Sequence, residues 1–159
     1  MWRRKPESLA AAAKADAAAV RNRALGLLAR REHSEQELIA KLLQRGLPEE
    51  LVRNTVRELA AEGLLSNTRY AEVLSRSRRQ QGHGPRRIQA ELRQRGVKAQ
   101  EVAADDEPVD WIAQARAARA KRFGAQLPAD QKERARQARF LAGRGFTTDQ
   151  IRAALGDDF

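Results

Sequence analysis

The sequence predicts an all-α protein built from three tandem three-helix repeats, which we expect to form an elongated array that can curve. The chain of 159 residues is rich in alanine, leucine, arginine, glutamine and glutamate, all of which favour helices. No segment shows the alternation of apolar and polar residues that is typical of a half-buried strand. The glycines Gly46, Gly96 and Gly145 are spaced by 50 and 49 residues, and a leucine precedes each by four positions. This spacing indicates an internal repeat.

The repeat divides the chain into four segments. We predict a basic, flexible extension over residues 1–15 and repeats over residues 16–63, 64–106 and 107–159. Each repeat alone is too small to bury much core, so we expect neighbouring repeats to stack on one another.

The first repeat is predicted to begin with a helix from about Asp16 to Arg31. In the second helix Ser34 is the expected N-cap, and Glu37, three residues later, completes the pattern of a capping box. This helix ends at Gly46, because glycine after a terminal arginine is a common C-terminal cap. Pro48 then opens a third helix, since proline suits the first helical position.

The second repeat is predicted to contain helices at about Asn67–Gln80 and Pro85–Arg95, followed by a shorter helix that carries Val102. Val102 lies six residues after its repeat glycine, as do aliphatic residues in the other two repeats. The stretch Glu101–Asp110 holds five acids and no base, so we interpret it as a linker.

The third repeat is predicted to contain helices at about Val109–Phe123, Pro128–Ala142 and Thr147–Leu155. Four aromatic residues sit at apolar helical spacing and are interpreted as core rather than as a stacking platform for nucleic acid bases. They are Tyr70, Trp111, Phe140 and Phe146.

A net charge of +10 points to an acidic partner. Nucleic acid is the first candidate, and a membrane surface or an acidic protein groove are the others. Arginine outnumbers lysine by 25 to 6, and the arginine fork grips phosphate and carboxylate through two hydrogen bonds. The excess charge lies in the second and third repeats, because Arg76–Gly96 carries a net +6 and Ile112–Arg144 a net +7.

Several classes of function are disfavoured by what the sequence lacks. It has no cysteine, so disulfides and thiolate metal sites are excluded. No apolar run approaches the roughly 18 residues of a membrane span, and the N-terminus lacks the apolar core of a signal peptide. We therefore expect a cytoplasmic protein with no membrane association.

Catalysis, metal binding and a cofactor are not expected. The chain has no phosphate loop, nucleophile motif or dinucleotide fingerprint. Its two histidines, His33 and His83, are 50 residues apart at equivalent repeat positions, which favours a structural role at a helix entrance. We predict that the chain is not an enzyme.

The Gly84-Pro85-Arg86-Arg87 turn is the sharpest local signal, and it has two readings. It is either a helix start with two solvated arginines, or an anion site made from free helix N–H groups and two guanidinium groups. Arginines near a helix N-terminus oppose the helix dipole, which suggests a role outside the fold.

The candidate partner-binding residues are the cations of this turn, of the helix before it and of the third repeat, although a solvated basic face is the alternative. Arg45, Arg95 and Arg144 are instead interpreted as structural, because they end helices where the dipole favours cations. The candidates are Arg76, Arg78, Arg79, Arg86, Arg87, Arg93, Lys121, Arg122, Arg134, Arg136 and Arg139.

Several of these motifs, taken in order, resemble the bacterial RecX regulatory proteins over about residues 20 to 156. The matching segments are Ala24–Leu38, Leu43–Gly46, Glu62–Leu65, Arg69–Glu72, Gly84–Ile88, Glu91–Val97, Arg139–Phe146 and Ile151–Leu155. The resemblance implies three tandem three-helix repeats and binding in the helical groove of RecA filaments on single-stranded DNA. It also implies that the chain restrains strand exchange, ATP hydrolysis and co-protease activity in homologous recombination, DNA repair and the SOS response.

The resemblance leads to one expected function and two alternatives. The expected partner of the chain, which we take to be a monomer, is the RecA filament on single-stranded DNA, and direct contact with DNA stays open. The first alternative is a plain helical DNA-binding protein that acts without RecA. The second is an enzyme acting on nucleic acid, which the lack of clustered acids or metal ligands disfavours.

Overall fold

A computed structural model describes residues 6–157, which contain helices and no strand. The all-α fold class is confirmed. The elements of this described part are α1 Pro6–Leu28, α2 Glu35–Gln44, α3 Glu49–Ala61, α4 Asn67–Gln80, α5 Pro85–Gln94, a 3₁₀ turn Ala99–Glu101, α6 Trp111–Phe123, α7 Gln131–Arg144 and α8 Thr148–Ala154.

Helix α1 begins at Pro6, well before the predicted start near Asp16. A run of alanines follows, and alanine has the highest helix propensity of any residue type. Proline is well placed in a first helical turn. The part of the predicted extension from residue 6 onward is therefore helical, and residues 1–5 lie outside the described residues.

The N-cap of α2 is confirmed, because the Ser34 hydroxyl accepts a hydrogen bond of 3.1 Å from the Glu37 amide. The predicted capping box is wrong in its second half. The Glu37 carboxylate accepts hydrogen bonds of 3.1 and 2.5 Å from the Arg31 guanidinium instead of one from the Ser34 amide. The Arg31 donor is itself charged and forms two hydrogen bonds, whereas the Ser34 amide is neutral and could donate only one, so the carboxylate pairs with Arg31.

The first compact unit comprises Met1–Tyr70 with Arg95–Val97. Its core is formed where α1, α2 and α3 pack against one another, and each core residue is at most 2% exposed. The buried residues are Val20, Ala24, Leu38, Leu42, Val52, Val56, Leu59 and Leu65.

The second compact unit comprises Ala71–Gln94 with Lys98–Phe159. Helix α6 packs against α7 and α8 around a core of Ala115, Leu141, Phe146 and Ala154. Of the aromatic residues predicted as core, Phe146 and Tyr70 are buried, the latter in the first unit, while Trp111 and Phe140 are partly buried.

The predicted third helix of the second repeat is wrong. The chain forms only the 3₁₀ turn Ala99–Glu101 there, closed by a hydrogen bond of 2.9 Å from the Lys98 amide to the Glu101 carboxylate. Val102 is 40% exposed, whereas Val52, the equivalent residue of the first repeat, is fully buried. Asp105, Asp106 and Pro108 follow and disfavour a longer helix, because aspartate and proline have low helix propensity.

Candidate functional site

The Gly-Pro-Arg-Arg turn packs against the C-terminus of α7. The Gly84 amide donates a hydrogen bond of 2.7 Å to the Arg144 carbonyl, and the Arg86 amide donates one of 2.9 Å to the Gly145 carbonyl. The Gly84 and Arg86 amides are therefore already occupied, so these two groups do not supply the free N–H donors that the anion-site reading requires. The positive end of α5 faces the negative end of α7, which compensates both helix dipoles.

The contact requires glycine on both sides. A Cβ atom on Gly84 would lie 2.5 Å from the Gly145 carbonyl oxygen, and a Cβ atom on Gly145 would lie 2.6 Å from the Arg87 amide nitrogen. Gly145 also has a φ of 95°, in the left-handed region that favours glycine. The two backbones can approach this closely only because neither residue has a side chain.

An equivalent contact lies in the first unit, where Gly96 packs on Gln36. Beside it, the Arg95 guanidinium lies 3.6 Å from the Glu37 carboxylate. Partial burial raises the pKa of Glu37, but the hydrogen bond and charge of Arg31, together with the charges of His33 and Lys41, hold it below its ordinary value. The first contact therefore contains an ionised carboxylate beside a helix-ending arginine.

The second contact has the opposite charge at the same repeat position. Arg87 replaces Glu37, fifty residues on, and Arg144 replaces Arg95. The Arg87 and Arg144 guanidinium groups make only long hydrogen bonds of 3.5 Å to the carbonyls of Gly143 and Gln81. This surface of the second unit is therefore left strongly basic.

His83 lies under this basic surface. Its ring is buried, and its Nδ1 atom has no hydrogen-bond partner among the described residues. Burial lowers the pKa of His83, and the nearby charges of Arg87, Arg144 and Arg78 lower it further. At neutral pH the imidazole is uncharged, as a structural role requires.

His33, at the equivalent position, is also buried at a helix entrance. Its Nδ1 atom lies 3.0 Å from the Arg31 carbonyl, and its Nε2 atom lies 2.9 Å from the Lys41 ammonium. Since the ammonium can only donate, Nε2 accepts and Nδ1 carries the proton. Burial lowers the pKa of His33 as well.

Four of the predicted partner-binding arginines form ion pairs within the second unit. Arg78 binds Glu91 through two hydrogen bonds of 2.8 and 2.6 Å, and Arg134 pairs with Asp157. Arg79 lies 3.9 Å from Asp105. Arg136 lies 3.3 Å from the Glu133 carboxylate and is exposed. The other seven candidates are exposed as well: Arg76, Arg86, Arg87, Arg93, Lys121, Arg122 and Arg139.

The end of α4, helix α6 and helix α7 enclose a cleft of about 400 Å³. It brings together three of the cations predicted to bind a partner, Arg79, Lys121 and Arg122. Arg144, which was interpreted as a structural residue at a helix end, lines the cleft as well. Glutamine, glycine and alanine residues and one phenylalanine complete the lining: Gln80, Gln81, Gly82, Gln114, Ala117, Ala118 and Phe140.

Sequence reasoning missed Gln114 and the role of Phe140 in this cleft. One signal was present, because Gln114, Ala118 and Lys121 follow one another at i, i+4 and i+7 and so share one face of α6. The neighbouring Arg122 also packs on Phe123, with its guanidinium carbon 5.6 Å from the ring centre.

Within residues 10–157, whose side chains the structure describes, no group of three or more histidine, aspartate or glutamate side chains is arranged to hold a metal ion. In the same part of the chain, no helix combines the length and apolar character needed to span a membrane.

Comparison with protein families gives three matches in chain order. The first three-helix domain of RecX matches residues 21–59, the second matches residues 66–104 and the third matches residues 109–155. The predicted tandem arrangement of three such domains is thereby confirmed, and the 3₁₀ turn Ala99–Glu101 takes the place of the third helix in the second domain.

Curated relatives agree with these matches over most of the chain. The Regulatory protein RecX of Halorhodospira halophila is 57% identical over 139 residues, which is 86% of each chain. The Regulatory protein RecX of Ectopseudomonas mendocina is 46% identical over 135 residues, which cover 84% of this chain and 90% of the relative.

Solved structures show the same fold. A crystal structure of RecX from Lactobacillus salivarius has a TM-score of 0.73 at 19% identity and covers 89% of this chain and 96% of that one. A crystal structure of a regulatory protein RecX has a TM-score of 0.77 at 23% identity and covers 98% and 81%. With three domain matches in order and close relatives along most of its length, the chain belongs to the RecX family of regulatory proteins.

Proposed function

We propose that the chain is a cytoplasmic regulator that binds RecA filaments on single-stranded DNA and mostly inhibits recombinase, ATPase and co-protease activity. The observation that carries the proposal is the match of all three RecX domains, in order, along one chain. The relatives named Regulatory protein RecX support a regulatory role, and the exposed cations of the second and third repeats supply a surface suited to an acidic partner.

The proposed mechanism is occupation of the filament groove. The exposed arginines contact acidic groove surface or DNA phosphates, and the bound protein obstructs entry of duplex DNA and the subunit motions that accompany ATP turnover. The chain acts by binding rather than by catalysis.

RecA's single-strand-dependent ATP hydrolysis and strand exchange, measured with and without the protein, test the proposal. We expect both to fall as the protein approaches saturation. The variant Arg86→Ala with Arg87→Ala should inhibit less, because it removes two exposed cations. The control variant Arg53→Ala with Arg57→Ala removes two exposed cations of the first repeat and should inhibit normally. Unchanged RecA activity at saturating protein would refute the proposal.

A plain helical DNA-binding protein is the second candidate, favoured by the concentration of cations around the cleft of the second unit. This function predicts salt-sensitive binding to DNA of full strength without RecA, and no added affinity for the filament.

A further inference from the structure

We propose that the cleft between α4, α6 and α7 holds one nucleotide of a single-stranded nucleic acid, with the phosphate on its cations and the base against its arginine–aromatic stack. The inference deepens the proposed function, since it rests on that function for the source of the strand. It can be tested without RecA.

The charge of the cleft suits a phosphate. Arg79, Lys121, Arg122 and Arg144 line it, and no acidic side chain does. The Asp105 carboxylate that pairs with Arg79 lies at 3.9 Å, too far for a hydrogen bond, so it neutralises that cation only weakly. Lys121 and Arg122 are exposed at the rim and can follow a phosphate as it enters.

An arginine–aromatic contact at the cleft wall suits a base. The Arg144 guanidinium carbon lies 5.1 Å above the centre of the Phe140 ring. Phe123 meets Phe140 edge-on, with the ring centres 5.2 Å apart, and holds that ring in place. A guanidinium plane and an aromatic ring are the surfaces on which unpaired bases stack.

Size and hydrogen-bonding capacity favour a nucleotide over the carboxylate of an acidic protein. A cleft of about 400 Å³ lies in the size range of sites for whole small molecules and is far larger than one carboxylate needs. The amides of Gln80, Gln81 and Gln114 offer acceptors as well as donors. A carboxylate uses only donors, whereas the edge of a base uses both.

Fluorescence anisotropy of a labelled oligothymidylate with the full chain alone tests the inference. The variant Gln114→Glu places a negative charge in the cleft and should weaken binding about tenfold through repulsion of the phosphate. The control Gln131→Glu makes the same change of charge at an exposed site at the start of α7 and should weaken binding less than twofold.

A second pair of variants measures the number of phosphate contacts. Lys121→Ala with Arg122→Ala should reduce the slope of log affinity against log salt by about 1.4, at about 0.7 for each lost contact with a single strand. Lys132→Ala with Arg152→Ala removes the same charge from exposed positions of α7 and α8 and should leave the slope nearly unchanged. Thermal unfolding of every variant checks that it is folded.

Equal losses in the cleft variants and their controls would overturn the inference, because they would show only a general charge effect. So would a loss of binding to labelled oligoglutamate in the cleft variants while oligothymidylate binding stays unchanged, because the cleft would then recognise an acidic peptide. Since RecA is absent, a failure of RecA regulation does not change these readouts.

Discussion

The Gly84 amide donates a hydrogen bond of 2.7 Å to the carbonyl of Arg144, sixty residues further along the chain. This bond joins the start of α5 to the end of α7 and places two like charges, Arg87 and Arg144, at one surface. In the equivalent contact of the first unit, Glu37 and Arg95 have opposite charges. Equivalent repeat positions thus bring opposite charges together in one unit and form a basic surface in the other.

Replacing Gly84 by alanine should destabilise the protein by about 2 kcal/mol, because the added Cβ atom must displace the Gly145 backbone. Gly143→Ala is the control. It lies within α7 with nothing within 4 Å of an added Cβ atom, so it should raise the free energy of unfolding by about 0.5 to 1 kcal/mol. Chemical denaturation measures both, and equal effects would show that the close approach has no energetic role.

The three repeat glycines should differ in how far they tolerate alanine. All have positive φ, so each substitution costs about 1 kcal/mol of backbone strain. Gly46 has nothing within 4 Å of an added Cβ atom, Gly96 meets the flexible side chain of Gln36, and Gly145 meets the Arg87 backbone. The loss of stability should therefore increase in the order Gly46, Gly96, Gly145. Equal losses of stability at the three positions would contradict the packing described for Gly96 and Gly145.

The ion pair of Arg78 and Glu91 should stabilise the second unit. Both side chains are partly buried, at 25% and 18% exposure, and the pair has two short hydrogen bonds. Arg78→Ala or Glu91→Ala should each cost about 1 to 2 kcal/mol. In the double variant the losses should be less than additive. Additive losses in this double-mutant cycle would mean that the pair contributes nothing.

The two histidines should make stability depend on pH. Burial lowers the pKa of both His33 and His83 below the ordinary value of 6.5, so the unfolded chain binds protons more readily than the folded one. Stability should therefore be complete above pH 6.5 and should fall as the pH drops below it, through the folded pKa values. Thermal unfolding between about pH 8 and pH 5 measures this effect.

The variant His33→Gln with His83→Gln should lose most of that pH dependence. Glu37 also titrates with a lowered pKa, but its ordinary value is 4.5, so its contribution disappears only in more acidic solution. An unchanged profile in the double variant would assign the pH dependence to other groups.

Local signals in the sequence predicted most of the helices. Helix α4 has the bounds predicted for it, and Ser34 caps α2 as expected. Helix bounds and caps are set by residues close to one another in the sequence, through capping hydrogen bonds and the backbone conformations open to glycine. The high helix propensity of the alanine run explains why α1 begins at Pro6 rather than near Asp16.

The contact between α5 and α7 could not be predicted from local signals. Gly84 and Gly145 each look like an ordinary turn or cap residue, and only tertiary packing brings them together. The cleft was missed for the same reason, because its lining comes from three helices. Gln114 carries no charge and resembles any polar surface residue until α6 packs beside α7.

The central claim is that the chain acts on the RecA filament, and one comparison of affinities tests it most directly. Binding of the protein to bare single-stranded DNA is measured beside binding to the same strand coated with RecA, at equal salt concentration. We predict clearly tighter binding to the coated strand, since the filament adds protein contacts to those of the DNA. Equal or weaker binding to the coated strand would contradict the claim and would favour a DNA-binding protein that acts without RecA.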